Sequence, residues 1–139
     1  MPVTSTPVFV QTPKNTQITI VAADASANKT VVTAGTNGTK VTALWVTSDD
    51  TSARIIQWKI TRSAVTILCG STNVATLAGT DGVTPAVDLL GATLNPGLPI
   101  DNDGNKYLFL VSGDTLVIAS TTTVTAAKTV SATAIHADF

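Results

Sequence analysis

Glutamate is absent from these 139 residues, and charge of any kind is sparse: nine Asp against eight Lys and Arg, a net charge of -1, and 12% charged residues in all. Nucleic acid is gripped through its phosphates by clustered positive charge. A balance this thin excludes an electrostatic binder of that kind. A single cysteine, Cys69, excludes an intramolecular disulfide and any metal site built from several cysteines. Aromatic residues are 4% of the chain, which argues against a sugar-stacking cleft. The longest unbroken apolar run, residues 107–111, is too short to cross a bilayer. No basic stretch followed by a long apolar segment opens the chain, so no secretory signal is expected.

What is abundant is β-branched. The chain has 26 Thr, 16 Val and 9 Ile. These side chains are stiff at χ1 and suit a pleated surface. With no Glu and one Met, strong helix formers are scarce. The expected fold class is therefore all-β: one antiparallel β-sandwich over residues 17–139, jelly-roll-like, with an extended N-terminal arm over residues 1–16. A mass of 14.2 kDa fits one such domain. Mean hydropathy is +0.34, and the charged fraction is about half that of an ordinary soluble domain. Either Thr and Ser hydroxyls keep this surface wet, or other subunits cover much of it.

The arm is punctuated by Pro2, Pro7 and Pro13, which disfavour a central strand, and it carries no charge before Lys14. Val8, Phe9 and Val10 form an apolar knot within it, suited to docking on a neighbour; with Phe139 they are the expected partner contacts. Alternation predicts strands over residues 17–22, 30–34, 39–47, 53–62 and 65–69. Val41, Ala43 and Trp45 are expected to share one face of the third. Residues 53–62 alternate most cleanly, with Ile56, Trp58 and Ile60 inward. A further strand is expected over 74–77, and a helical turn after Thr84-Pro85 through Leu90. Residues 95–104, with two Pro and two Gly, read as irregular. Strands over 106–111, 115–120 and 128–136 complete the set. The first two of these are apolar on both faces, which implies cover by a loop or an interface.

No constellation of residues specifies chemistry. Asp101-Asn102-Asp103-Gly104-Asn105 spaces carboxylates as a calcium loop does, but Lys106 stands where such a loop needs Gly, and Ser112 where it needs Glu. A polar turn is expected instead. His136 with Asp138 lacks any Gly-x-Ser-x-Gly elbow. Cys69 reads as a buried small hydrophobe. Most of the Asp residues fall in turns, where Asp bonds its own backbone. Trp45 and Trp58 are expected as core anchors, and Arg54 and Arg62 as solvated strand ends. The chain is expected not to be an enzyme and to need no metal or cofactor.

The stretch NGTKVTALWVTSDDTSARIIQWKIT, residues 37–61, resembles small β-rich virion proteins of tailed bacteriophages. So does DGVTPAVDLLGATLNPGLPIDNDGNKYLFL with the SGDTL hairpin at 112–116. The resemblance implies a capsid decoration, or cement, protein located on the virion exterior and made in the host cytoplasm. Its implied partners are the major capsid protein and further copies of itself, as a homodimer or homotrimer, with no nucleic acid and no membrane. No residue-level motif is carried over with it. The competing expectations are another virion component (tail, neck or fibre-associated) and a carbohydrate- or surface-binding module. The last would need an exposed aromatic patch.

Overall fold

The computed structural model describes residues 9–91 and 94–139. Among these residues nine strands run in chain order: β1 (Thr12–Val21), β2 (Lys29–Thr33), β3 (Thr39–Ser48), β4 (Arg54–Arg62), β5 (Val65–Val74), β6 (Val87–Asp88), β7 (Leu108–Leu110), β8 (Thr115–Ser120) and β9 (Thr129–Asp138). Among the described residues the one helical piece is a 3-10 turn, Ala22–Asp24. The fold is all-β, in two antiparallel sheets. The first has the order β1-β9-β3, with β6 and β7 placed end to end along the far edge of β3. The second has the order β2-β8-β4-β5.

The two sheets close, sandwich-like, on one core. Ile20, Val41, Leu44, Val46, Ala132 and Ala134 from the first meet Val32, Ile56, Trp58, Val74, Leu116 and Ile118 from the second. Strand β4 follows its sequence: Ile56 and Trp58 are buried, and Gln57 and Lys59 face out. Trp58 sets a local constraint. Its indole Nε1 donates to Asn95 Oδ1 at 3.2 Å, and Asn95 Nδ2 donates to the carbonyls of Leu89 and Gly91. This ties Asn95 to Leu89 and Gly91 over the core. Gly70 lies opposite Trp58 on β5, where a Cβ would collide with the indole nitrogen and with Asn95. Only glycine fits there.

Strand β8 is buried on both faces, as its two-sided sequence implies. The cover lies within the chain. Val117 lies between Lys59 of β4 and Thr30 of β2 on the outward face. Lys59 Nζ reaches Asn28 Oδ1 at 2.9 Å, just before β2, so its aliphatic stem crosses β8 and shields the outward side chains.

Several expectations are corrected. Residues 12–16, assigned to the arm, belong to β1 and pair in register with β9. Pro13 is accommodated because β1 is an edge strand, where a missing N–H breaks no inner ladder. Val74 ends β5, and residues 75–79 form turns instead of a strand. No helical turn follows Thr84-Pro85. The chain instead makes the short β6, and Asp88 Oδ1 accepts the Leu90 N–H at 2.8 Å. The expected strand over 106–111 contracts to β7.

In β3 a bulge at Thr42 inserts one residue between the Val41↔His136 and Ala43↔Ile135 pairs. The inward set therefore changes from Thr39 and Val41 to Leu44, Val46 and Ser48. Ala43 and Trp45 are turned to the outside, away from Val41.

Arg54 and Arg62 are not simply solvated. Arg54 Nε donates to the buried Asp50 at 2.7 Å, and its other nitrogens donate to Thr122 and Thr125. Asp50 also accepts from the Thr125 hydroxyl and N–H. Burial alone would raise its pKa, but these donors, Arg54 foremost, hold the carboxyl well below the usual range. Arg62 makes two 2.7 Å hydrogen bonds to the buried Asp114, which also accepts the Val111 N–H. Arg62 and burial pull the Asp114 pKa in opposite directions, and Arg62 prevails, lowering it.

Candidate functional site

The bulge at Thr42 decides what the outer face of the first sheet carries. The strand register lays out its rows. One row runs Phe109, Lys40, Ala137, Pro13; the next runs Ala43, Ile135, Asn15. Further along come Asp88, Trp45, Thr133, Gln17, and then Thr47, Ser131, Thr19. Lys40 and Asp88 are the only charged residues in these rows.

One end of this face is aromatic. On β7, Leu108 and Leu110 point into the core and fix the strand, so Phe109 between them faces out and is 51% exposed. Tyr107 meets Phe109 edge-on, with centroids 5.1 Å apart and ring planes at 74°. Phe139 also packs on Phe109, with centroids 5.7 Å apart. Lys40 Nζ sits 4.5 Å from the Tyr107 ring centroid, a cation–π contact that occupies the row's one cation. Exposed Val111 and Ile135 extend the apolar surface. Beside it is a groove of about 460 Å3 lined by Ala43, Trp45, Asp88, Asp101, Asn105 and Lys106, among others. The expectation that Trp45 anchors the core is corrected: it is half-buried on the outer face and forms part of this groove, whereas Trp58 is in the core.

The backbone under the cluster is held by polar contacts. Asp138 faces inward and binds Lys14 Nζ, and it accepts from Thr39 Oγ1 at 2.5 Å. Phe139 N donates to Gly38 O at 3.2 Å. These bonds seat the end of β9 against the start of β3 and aim the Phe139 ring at Phe109.

The expected contact residues fall in three places. Val8 lies outside the described residues. Phe9 and Val10 precede β1 and are exposed, Phe9 at 72%. Phe139 belongs to the aromatic cluster, whose other members, Tyr107 and Phe109, the sequence did not single out. The signal that could have found them is an odd-even one: Leu108 and Leu110 can be inward only if their aromatic neighbours are outward.

The residues weighed for chemistry are dispersed. His136 is inward and buried, with Nε2 2.9 Å from Thr16 Oγ1, while Asp138 is committed to Lys14 and Thr39. No His–Asp–Ser arrangement is assembled from them. Desolvation pulls the His136 pKa below its ordinary value; Lys14 acts in the same direction and Asp138 against it. Asp101 Oδ1 accepts the N–H groups of Asp103 and Asn105, closing its own turn. Cys69, expected to be buried, is exposed on the edge strand β5, as are residues 65–68 before it. Among the described residues, no three His, Cys, Asp or Glu side chains are grouped to hold a metal ion. No family model, curated protein or solved structure matches this chain.

Proposed function

We propose that the chain is a structural virion protein that binds the outside of a tailed-phage capsid and bridges neighbouring major capsid subunits. The observation that carries this reading is the outer face of the first sheet, apolar and aromatic at one end and nearly uncharged throughout. Fully buried interface cores are depleted in charge and enriched in Tyr, Phe and Trp. From strand spacing and rise, that face measures roughly 600 Å2 before its corrugation is counted. A standard interface takes about 800 Å2 per partner, so the face has the scale of one protein contact.

The strand orders support a jelly-roll reading. The chain alternates between the sheets except at the β4-β5 hairpin and the β6, β7 edge pieces, giving β1-β9-β3 with β6 or β7 in one and β2-β8-β4-β5 in the other. That is the pairing of an eight-stranded jelly roll, an architecture used in capsid and lectin domains. The likeness of residues 37–61 and 81–116 to phage virion proteins supplies the setting. Several such contacts on one shell, made as a homo-oligomer, would multiply weak binding into firm attachment.

The test is binding of purified protein to shells assembled without it. Wild-type protein is expected to saturate the shell, and Phe109→Asp, folded by circular dichroism, to bind at least tenfold more weakly. Absence of wild-type binding, or full occupancy by the variant, overturns the reading.

A second reading has its own observation. The groove beside Trp45 sets an indole among Asp88, Asp101 and Asn105, groups that accept or donate hydrogen bonds to sugar hydroxyls. If the chain is a carbohydrate-binding module, oligosaccharides will change the fluorescence of wild-type protein and not of Trp45→Ala. An unchanged spectrum across neutral hexose and N-acetylhexosamine oligomers eliminates it.

A further inference from the structure

Every sheet has edges, and an edge exposes unpaired N–H and C=O groups that natural proteins shield with Pro, Lys, bulges or short length. Three of the edges here are shielded. Strand β1 carries Pro13 and Lys14. Strand β2 has five residues, a Lys at its start and a bulge at Val31. The far edge of β3 is occupied by β6 and β7, two and three residues long.

Strand β5 is different. It is ten residues long, pairs only with β4 among the described residues, and contains neither Pro nor any charged residue. No charge occurs anywhere from Ser63 to Thr80. Before its bulge at Cys69, residues 65–68 form a regular run in which Val65, Ile67 and Leu68 are each more than half exposed. Each face of that run carries apolar side chains, Val65 and Ile67 on one and Leu68 on the other, and no charge guards its open edge.

The same chain contains a segment with matching needs. The first 13 residues carry no charged side chain, and residues 8–10 are Val-Phe-Val. Phe9 and Val10 are exposed where the chain leaves β1. We infer that residues 2–10 of one copy add as a strand to the β5 edge of a second copy, alongside residues 65–68. Main-chain hydrogen bonds supply the attraction, and the alternating Val8, Phe9 and Val10 side chains fall beside those of β5. With no charge on either segment, no like charges are brought together.

Geometry favours the second copy over the same one. Strands β1 and β5 are at opposite edges of different sheets. Folding back on its own protomer, the arm would cross about 14 Å of sheet and about 10 Å between sheets. Nine extended residues reach about 30 Å, so Phe9 and Val10 would be spent in the crossing and could not pair. Between copies all of them are available, and reciprocal or ring-wise exchange closes the assembly. This gives the self-association in the proposed function a location, yet it holds or fails in the isolated protein, independently of shell binding.

The experiment uses the full chain. Light scattering on purified wild-type protein is expected to show an oligomer. Ile67→Lys, and separately deletion of residues 2–10, are each expected to give a folded monomer. Cysteines introduced as Ser5→Cys, Pro7→Cys or Phe9→Cys probe the contact against the native Cys69 under copper-phenanthroline oxidation. At least one is expected to give a covalent dimer on a non-reducing gel, absent when Cys69→Ser is added. A monomeric wild type, an oligomer that survives both changes, a cross-link within single chains, or no cross-link at any position overturns the inference.

Discussion

At the scale of the residue, the carboxylates divide: Asp81 and Asp101 close their own turns, as expected, whereas the buried Asp50 and Asp114 also pair with arginines. Asp50 is completely buried, and Arg54, whose side chain is itself largely buried, is its charged partner. Removing one member of a buried pair leaves the other charge uncompensated. Asp50→Ala is therefore expected to cost about 3 kcal/mol in urea denaturation. Loss within about 0.5 kcal/mol would show that the pair carries no such weight. His136 sets a pH dependence of defined sign. Its folded-state pKa is depressed, so the unfolded chain binds the proton more readily. The stabilising contribution is present above the unfolded value of about 6.5 and is lost as pH falls from there through the folded value. Wild-type Tm is expected to drop between pH 7 and pH 5, and that drop to shrink in His136→Gln. The lowered carboxyls of Asp50, Asp114 and Asp138 act further down, losing their contribution as pH falls below about 3.9.

At the scale of the element, the two tryptophans separate what alternation reveals from what it hides. Trp58 sits on β4, whose period of two is unbroken along its pairing with β8, and its inward position was legible directly. Trp45 sits on β3, where one extra residue at Thr42 reverses the faces. A bulge of this kind leaves no mark in a run that is apolar on both sides, as residues 41–46 are. The consequence is measurable. Trp58→Ala should cost about 3–5 kcal/mol, the range for emptying a large core site. Trp45→Ala should cost under about 1 kcal/mol, as surface changes do. Equal losses by chemical denaturation would contradict the assignment of faces. Strand β8 shows a related limit. Its two-sided apolar sequence announced a covered outer face, but a lysine stem from a neighbouring strand as the cover depends on register.

At the scale of the whole molecule, the sheets arrange four of the six aromatic residues on or beside one outer face and leave one, Trp58, in the core. Of these four only Phe109 is exposed, and Trp45, Tyr107 and Phe139 are partly buried. Phe109→Asp places a charge at the aromatic end of that face without touching the core, so stability should change by no more than about 0.5 kcal/mol. Thermal unfolding of the variant beside wild type checks this. A collapse of the fold would mean that Phe109 supports the sheet and does not serve a partner.

Composition and alternation determined the fold class, because β-branched residues with few helix formers favour pleated strands, and the clean period of β4 placed that strand. Composition also set the thin, nearly neutral charge of the surface. Tertiary structure decided which apolar residues face outward and which buried charges pair. Both outcomes depend on register between strands distant in the chain, and a single inserted residue at Thr42 was enough to redirect Trp45 from core to surface.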